Sequence, residues 1–441
     1  MLKRMLMSLA LFAFSGCVDA EPEVKSQWQS LFDGQSLDGW QIINGDVPFL
    51  VEGGEIIGKT AAGIPTRYLA TDKPYRDFIL ELEMNNAEGE NSGIQFRSVQ
   101  APQFRAGLTG YQMEVDPSAR AWTGGIFFEG LGQWRYPIIE NPTCTSAWND
   151  TGWNKLRIEA KGPRLRTFVN EHACAYLYDA TLDEGYIALQ IHSIGRMPGR
   201  ADAPTRWRNI QILEDPVDAD YTNFDKDTHS TSFLINQLSP HEIANDWVLI
   251  RPDTIGQQGW ALSDIANPVT GAVVQSSVLK TEAGQGKRYV PLPEFGEGYE
   301  LIADIQMTPG TKGRINYPIA GMKSGTKDTG CTSSFAVFDD TAIDFKKINA
   351  DYMMGSVAGE FTAKNLSEGN RRKRILPPEK WQRIKIVVKG RQVEHRLNSV
   401  KVADYAACTG QNHKPLEDSA AIQIELDAGS LNLSTVKYRP L

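Results

Sequence analysis

Cysteine and histidine are scarce in this chain, with five and six residues respectively in 441. No CxxC pair and no Cys/His cluster with ligand spacing occurs, which excludes an ordinary structural zinc site. Basic excess is lacking too: the formal net charge is -8, and no basic face interleaved with stacking aromatics offers itself to nucleic acid. The basic run Arg371–Arg374 lies between Gly369-Asn370 and Pro377-Pro378 and reads as a solvated loop. The apolar stretch Met5–Phe14 is ten residues long, too short to span a bilayer core of ~30 Å as a helix. No long helical period appears either, so a helical bundle is not an option. At 41% hydrophobic and 23% charged, the composition is that of a globular chain long enough for two or three domains.

Lys3 and Arg4, the apolar Met5–Phe14 and Ser15-Gly16-Cys17 form a targeting segment that does not belong to the fold. The arrangement resembles a bacterial lipoprotein signal. That resemblance implies Cys17 as the lipidated first residue of the mature chain, residues 18–27 as a tether, and attachment to the cell envelope, periplasmic or at the cell surface, through acyl chains. Export makes disulfides the expectation for the other four cysteines. One bridge within each half is the simplest arrangement, Cys144 with Cys174 and Cys331 with Cys408.

Beyond Leu31 the chain reads as many short alternating stretches punctuated by Gly, Pro, Asn and Asp. They include Phe78–Met84, Ile94–Phe96, Tyr111–Val115, Lys155–Glu159, Arg164–Val169, Tyr186–His192 and Trp207–Leu213. This predicts an all-β antiparallel sandwich or jelly roll. The pattern also repeats. WNKLRIEAKG from Trp153 returns as WQRIKIVVKG from Trp381, each followed by an asparagine seventeen residues after the tryptophan, Asn170 and Asn398. RYLATDKPYRDFILELEM from Arg67 is echoed by RYVPLPEFGEGYELIADIQM from Arg288, and ALQIH (Ala188–His192) by AIQIE (Ala421–Glu425). Three echoes in one order predict tandem domains, 28–215 and 240–441, joined by a linker over 216–239.

The stretch from Asn91 to Asp116 carries the chemistry. Strand alternation hides Ile94 and Phe96 and presents Gly93, Gln95 and Arg97; it hides Tyr111, Met113 and Val115 and presents Gln112, Glu114 and Asp116. By the same rule Gln190 and His192 share a face. Base, acid and cation thus come together on one surface if the three strands adjoin. The second half breaks the pattern: Glu425 stands for His192, GRINYP (Gly313–Pro318) has no arginine at the place matching Arg97 of GIQFR, and SFAVFDD (Ser334–Asp340) is expected to place apolar side chains where Glu114 would be. The second domain is therefore expected to be structural or a ligand-binding accessory.

The first half resembles the 3-keto-disaccharide hydrolase family, a domain of formerly unknown function. The resemblance is carried by SLFDGQSLDGW (Ser30–Trp40), RDFILELEM (Arg76–Met84), NSGIQFRS (Asn91–Ser98), GYQMEVD (Gly110–Asp116), the WNKLRIEAKG strand with FVN, GYIALQIH (Gly185–His192) and RWRNIQIL (Arg206–Leu213). It implies a concanavalin- or laminin-G-like jelly roll, with the second domain a diverged copy, and a carbohydrate substrate with a ketone at C3. The C2 proton of such a sugar is acidic, and its removal allows the C1 oxygen to be expelled before water adds. On this resemblance the catalytic set is His192 or Glu114 as base, Arg97 at the oxyanion with a divalent metal ion as an open addition, and Asp116, or whichever of His192 and Glu114 is not the base, as acid or orienting group. Asn91, Gln95, Gln112, Gln190 and Trp122 would bind substrate. Ordinary glycoside hydrolysis by paired carboxylates is the enzymatic rival; the jelly-roll glucanases place a third carboxylate where this chain has Ala119. The non-enzymatic alternative is a carbohydrate-binding surface lipoprotein that stacks sugars on Trp122 and Trp134.

Overall fold

The computed structural model describes residues 27–116, 118, 120–223, 229–250, 261–292, 298–319, 331–338, 379–408 and 421–441. Cys17, the tether up to residue 26 and the Arg371–Arg374 run lie outside these residues.

Two pairs of facing sheets follow one another along the chain. In the first pair, a nine-stranded sheet is built around Phe78–Asn86, Asn154–Lys161 and Pro204–Glu214. It faces a seven-stranded sheet ordered Gln133–Tyr136, Ile126–Glu129, Leu108–Val115, Ser92–Gln100, Tyr186–Ile191, Arg67–Thr71, Trp40–Ile43. The second pair has an eight-stranded sheet and a four-stranded sheet among the described residues, the latter ordered Arg288–Pro291, Ala421–Ala428, Lys312–Ile319, Cys331–Phe338. The protein is all-β, two tandem sandwiches.

Alternation explains each core. Phe78, Leu80, Leu82 and Met84 of one sheet meet Ile94, Phe96, Tyr111, Met113 and Val115 of the other, all essentially inaccessible to water. Each such large apolar side chain contributes about 1.5–3 kcal/mol on burial. Gly53-Gly54 turns a hairpin with both φ values positive, 61° and 80°, as the tight two-residue turn demands. The asparagine that recurs after each tryptophan has one structural task in both copies. Asn170 and Asn398 adopt φ 46° and 48° at a hairpin turn, and their side chains accept the amide hydrogens of Lys155 and Arg383 at 2.8 and 3.0 Å.

Each sandwich carries one disulfide, Cys144–Cys174 in the first and Cys331–Cys408 in the second. The stretch read as a linker docks on both halves. Tyr221 packs with Ile79 and Leu213, and Thr231–Ser232 adds a short parallel strand beside His172–Tyr178. Beyond it, the buried Lys437 ammonium pairs with Glu242 at 2.7 Å and donates to the Ser232 carbonyl. Arg383 also donates to that carbonyl, pairs with Asp304 and lies 3.5 Å over the Phe233 ring. Burial holds the Lys437 ammonium down at about 8, against the pull of Glu242.

Candidate functional site

On the seven-stranded sheet, the face turned away from the core carries a continuous cross-strand row. Ala70 pairs with Ala188, Ala188 with Gln95, Gln95 with Gln112, Gln112 with Phe127 and Phe127 with Trp134. Glu114 stands one pleat along, directly opposite Gly93. That glycine is required by close approach: a Cβ there would sit 2.6 Å from the Gln112 Cδ, because the Gln112 side chain lies across the glycine. Gly93→Ala is therefore expected to displace Gln112 and break its hydrogen bonds to Gln95, Gln190 and Glu114, lowering the melting temperature. A melting curve checks this, and an unchanged transition would count against it.

Gln112 is the hub. Its carbonyl oxygen accepts from the amides of Gln95 and Gln190, and its own amide donates to Glu114 at 2.7 Å. Asn91 donates to the other Glu114 oxygen at 2.7 Å. Gln190 reaches on to the Tyr68 hydroxyl at 3.3 Å. Gln95, Gln112 and Gln190 are all buried, so their amides satisfy one another away from water. Burial pushes the Glu114 carboxyl up to about 7, and the amides of Asn91 and Gln112 and the charge of Arg120 only partly offset it. A carboxyl poised near neutrality can take or give a proton at ordinary pH. Glu129, near Tyr68, has its carboxyl raised above the usual range by burial.

Asp116, just past the strand, is buried and pairs with Arg120 at 2.7 Å. The Arg120 guanidinium lies 4.5 Å from the Trp122 ring centre and 5.0 Å from that of Trp134. The two tryptophans meet edge to face at 4.7 Å, and Phe127 joins Trp134 at 5.3 Å. The aromatic platform, half-buried, thus adjoins the carboxyl through Arg120. His192 follows the end of Tyr186–Ile191, two residues beyond Gln190; it is exposed, and its Nδ1 lies 2.8 Å from the Ser193 carbonyl.

Arg97 does not join this group. The register steps from Phe96↔Tyr111 to Val99↔Thr109, so Arg97 and Ser98 together face Gly110, and Arg97 adopts φ 45°. This bulge breaks the alternation on which its placement rested. The guanidinium turns to the opposite sheet, donating to the carbonyls of Arg76 and Gly162 at 2.7 and 2.6 Å and to Asp77 at 2.8 Å. The cation beside Glu114 is Arg120 instead. Sequence reading passed over it because it lies in the turn after the strand, yet its spacing of four residues from Asp116 and two from Trp122 was a signal. Tyr68 and Glu129 were also missed; the RY echo at Arg67 and Arg288 pointed to the tyrosine. Among the described residues no group of three or more His, Cys, Asp or Glu side chains converges as a metal site.

An amide-lined face with a poised carboxyl and an aromatic rim, on a β-sandwich, belongs to a carbohydrate-active protein. The chain is a member of the family described as the 3-keto-alpha-glucoside-1,2-lyase-like domain, whose sequence model matches residues 27–213 and again 246–441. No curated protein matches the chain. Among solved structures, two candidate glycosyl hydrolases from Parabacteroides distasonis ATCC 8503 are similar at 18% and 16% identity. They cover 42% and 43% of this chain and 93% and 99% of their own, each with TM-score 0.32. The carbohydrate binding module CBM66 from Bacillus subtilis is similar at 18% identity, covering 40% of this chain and 96% of its own, with TM-score 0.28.

Proposed function

We propose that the first domain cleaves 3-keto-glycosides by elimination followed by hydration. The observation that carries this reading is Glu114, a buried carboxyl raised to about 7 and gripped by two amides. Glu114 takes the C2 proton of the keto sugar, and the released pair forms the enediolate with the C3 oxygen. Return of that pair expels the C1 oxygen, which leaves with a proton. Water then adds across C1=C2, its oxygen to C1 and a proton to C2, so one water is consumed overall. Arg120 supplies the positive charge near the developing oxyanion, His192 is the donor to the departing oxygen, and Asp116 orients Arg120. Trp122 and Trp134 stack the sugar on the leaving side.

The test is to incubate the mature two-domain chain with a 3-keto-glycoside and with its unoxidised parent. Release of the aglycone from the keto substrate alone is expected. Cleavage of both would favour paired-carboxylate hydrolysis, and binding without cleavage would favour a carbohydrate-binding module, the reading to which the Trp122–Trp134 platform lends itself.

We also propose envelope anchoring through Cys17, on the leader pattern of Lys3 to Cys17. Cys17→Ser is expected to abolish incorporation of labelled palmitate when the full-length chain is expressed in a bacterium. Undiminished label would refute it.

A further inference from the structure

The second sandwich repeats part of the polar face residue for residue. In the first copy Gln190 pairs across strands with Tyr68 and its amide reaches the tyrosine hydroxyl at 3.3 Å. In the second, Gln423 pairs with Tyr289 and its amide reaches that hydroxyl at 3.2 Å. The neighbouring strand continues the match. Asn316 lies opposite Gln423 and Ser334 opposite Asn316, the places that Gly93 and Glu114 hold in the first copy. This register corrects the correspondence expected from SFAVFDD: a hydroxyl, not an apolar side chain, replaces the Glu114 carboxyl.

Three differences change what this face can do. Where the first copy needs glycine to let Gln112 lie across it, Asn316 fills the space and donates to the Gln423 carbonyl oxygen at 2.9 Å. Gln95 and Gln112 give way to Pro318 and Thr332 by register, so the amide hub is gone. Exposure also differs: Tyr68 and Gln190 are wholly buried, whereas Tyr289, Gln423, Thr332 and Ser334 are half-buried and reach water. At one end of the row, Arg314 and Glu425 face each other at 3.5 Å, Glu425 standing where the first copy has His192.

We propose that this face of the second domain is a non-catalytic binding site for a neutral carbohydrate. Amide and hydroxyl groups both donate and accept, which suits the paired donor and acceptor character of sugar hydroxyls. With Ser334 at the carboxyl position, the carboxylate among the described residues of the row is that of Glu425 at its end, where Arg314 faces it at 3.5 Å, so the centre of the site holds a sugar without a base beside it. The ligand class rests on the carbohydrate reading of the first domain; the site itself rests on the repeated hydrogen-bonded pair.

The experiment is calorimetric titration of the full two-domain chain with trehalose and, separately, maltose, as the wild type, as Asn316→Ala and as Gln112→Ala. A second-site component is expected in the wild type with at least one of the two sugars, weakened about tenfold or more in Asn316→Ala through loss of a hydrogen-bonding group and retained in Gln112→Ala. Ser334→Phe, which projects a ring over the half-exposed row, is expected to remove the same component and serves if Asn316→Ala fails to fold. Binding unchanged in both second-domain variants would overturn the proposal, as would no binding of either sugar by the wild type. Failure of the first-domain reading alone looks different: no turnover of the keto sugar, with the component sensitive to Asn316 still present.

Discussion

Glu114→Gln is expected to reduce kcat/KM on a 3-keto-glycoside by about 10²- to 10⁴-fold, the usual worth of a positioned general base. The substitution keeps the size of the side chain, removes its ability to take a proton, and turns one of its two acceptor oxygens into an NH2 that faces the amide of Asn91 or Gln112. The wild-type pH profile gives an independent signature. Burial raises this carboxyl to about 7, and a base works only when ionised. Activity should therefore climb roughly tenfold per pH unit below about 7 and level off above it. An ordinary exposed glutamate would give a profile already flat near pH 6. Linkage runs the opposite way for stability. The folded-state value lies above the unfolded one, so the stabilising effect of binding this proton is fully present below about 4.5 and is lost as pH rises through about 7. Activity and this contribution to stability thus move in opposite directions over the same interval. A pH profile without an inflection near 7, or full activity in Glu114→Gln, would remove Glu114 from the chemistry.

Arg97→Ala is expected to act on the fold and not on the chemistry. The guanidinium is wholly buried and ties its own strand to two other segments of the chain, at Arg76-Asp77 and at Gly162. Breaking a buried ion pair costs about 3–5 kcal/mol when both partners are enclosed. Asp77 is 31% exposed and can recover water, so about 3 kcal/mol is a reasonable expectation, with the two carbonyl acceptors contributing part of it. For a domain of this size that lowers the melting temperature by about 6–12 °C. Calorimetry should show the loss, while kcat at a temperature well below the transition stays within a few-fold of wild type. An unchanged melting temperature with kcat down a hundredfold would restore Arg97 to the active site.

Much of the fold could be read from the chain because strand alternation is a local property. The strands around Phe78, Tyr111, Arg164 and Trp207 follow from it, and the tandem arrangement follows from echoes that carry the same hydrophobic period and the same turn asparagine. The amides of Gln95, Gln112 and Gln190 share a face for the same reason. Alternation failed at Arg97, where a single extra residue in the ladder reverses the side toward which a side chain leaves. It was also silent about Arg120, which a turn folds back over Trp122 and Trp134.

The sequence by itself determined the β class, the duplication and the two polar strands that carry Gln95, Gln112 and Glu114. Those features depend on periods of two residues and on repeats, which need no knowledge of distant contacts. Only the tertiary structure decided which cation stands near Glu114, that Gln112 gathers the three amides over Gly93, and that Glu114 is dry enough to titrate near 7. These depend on which strands become neighbours and how far water is excluded, and both are set by the packing of segments far apart in the chain.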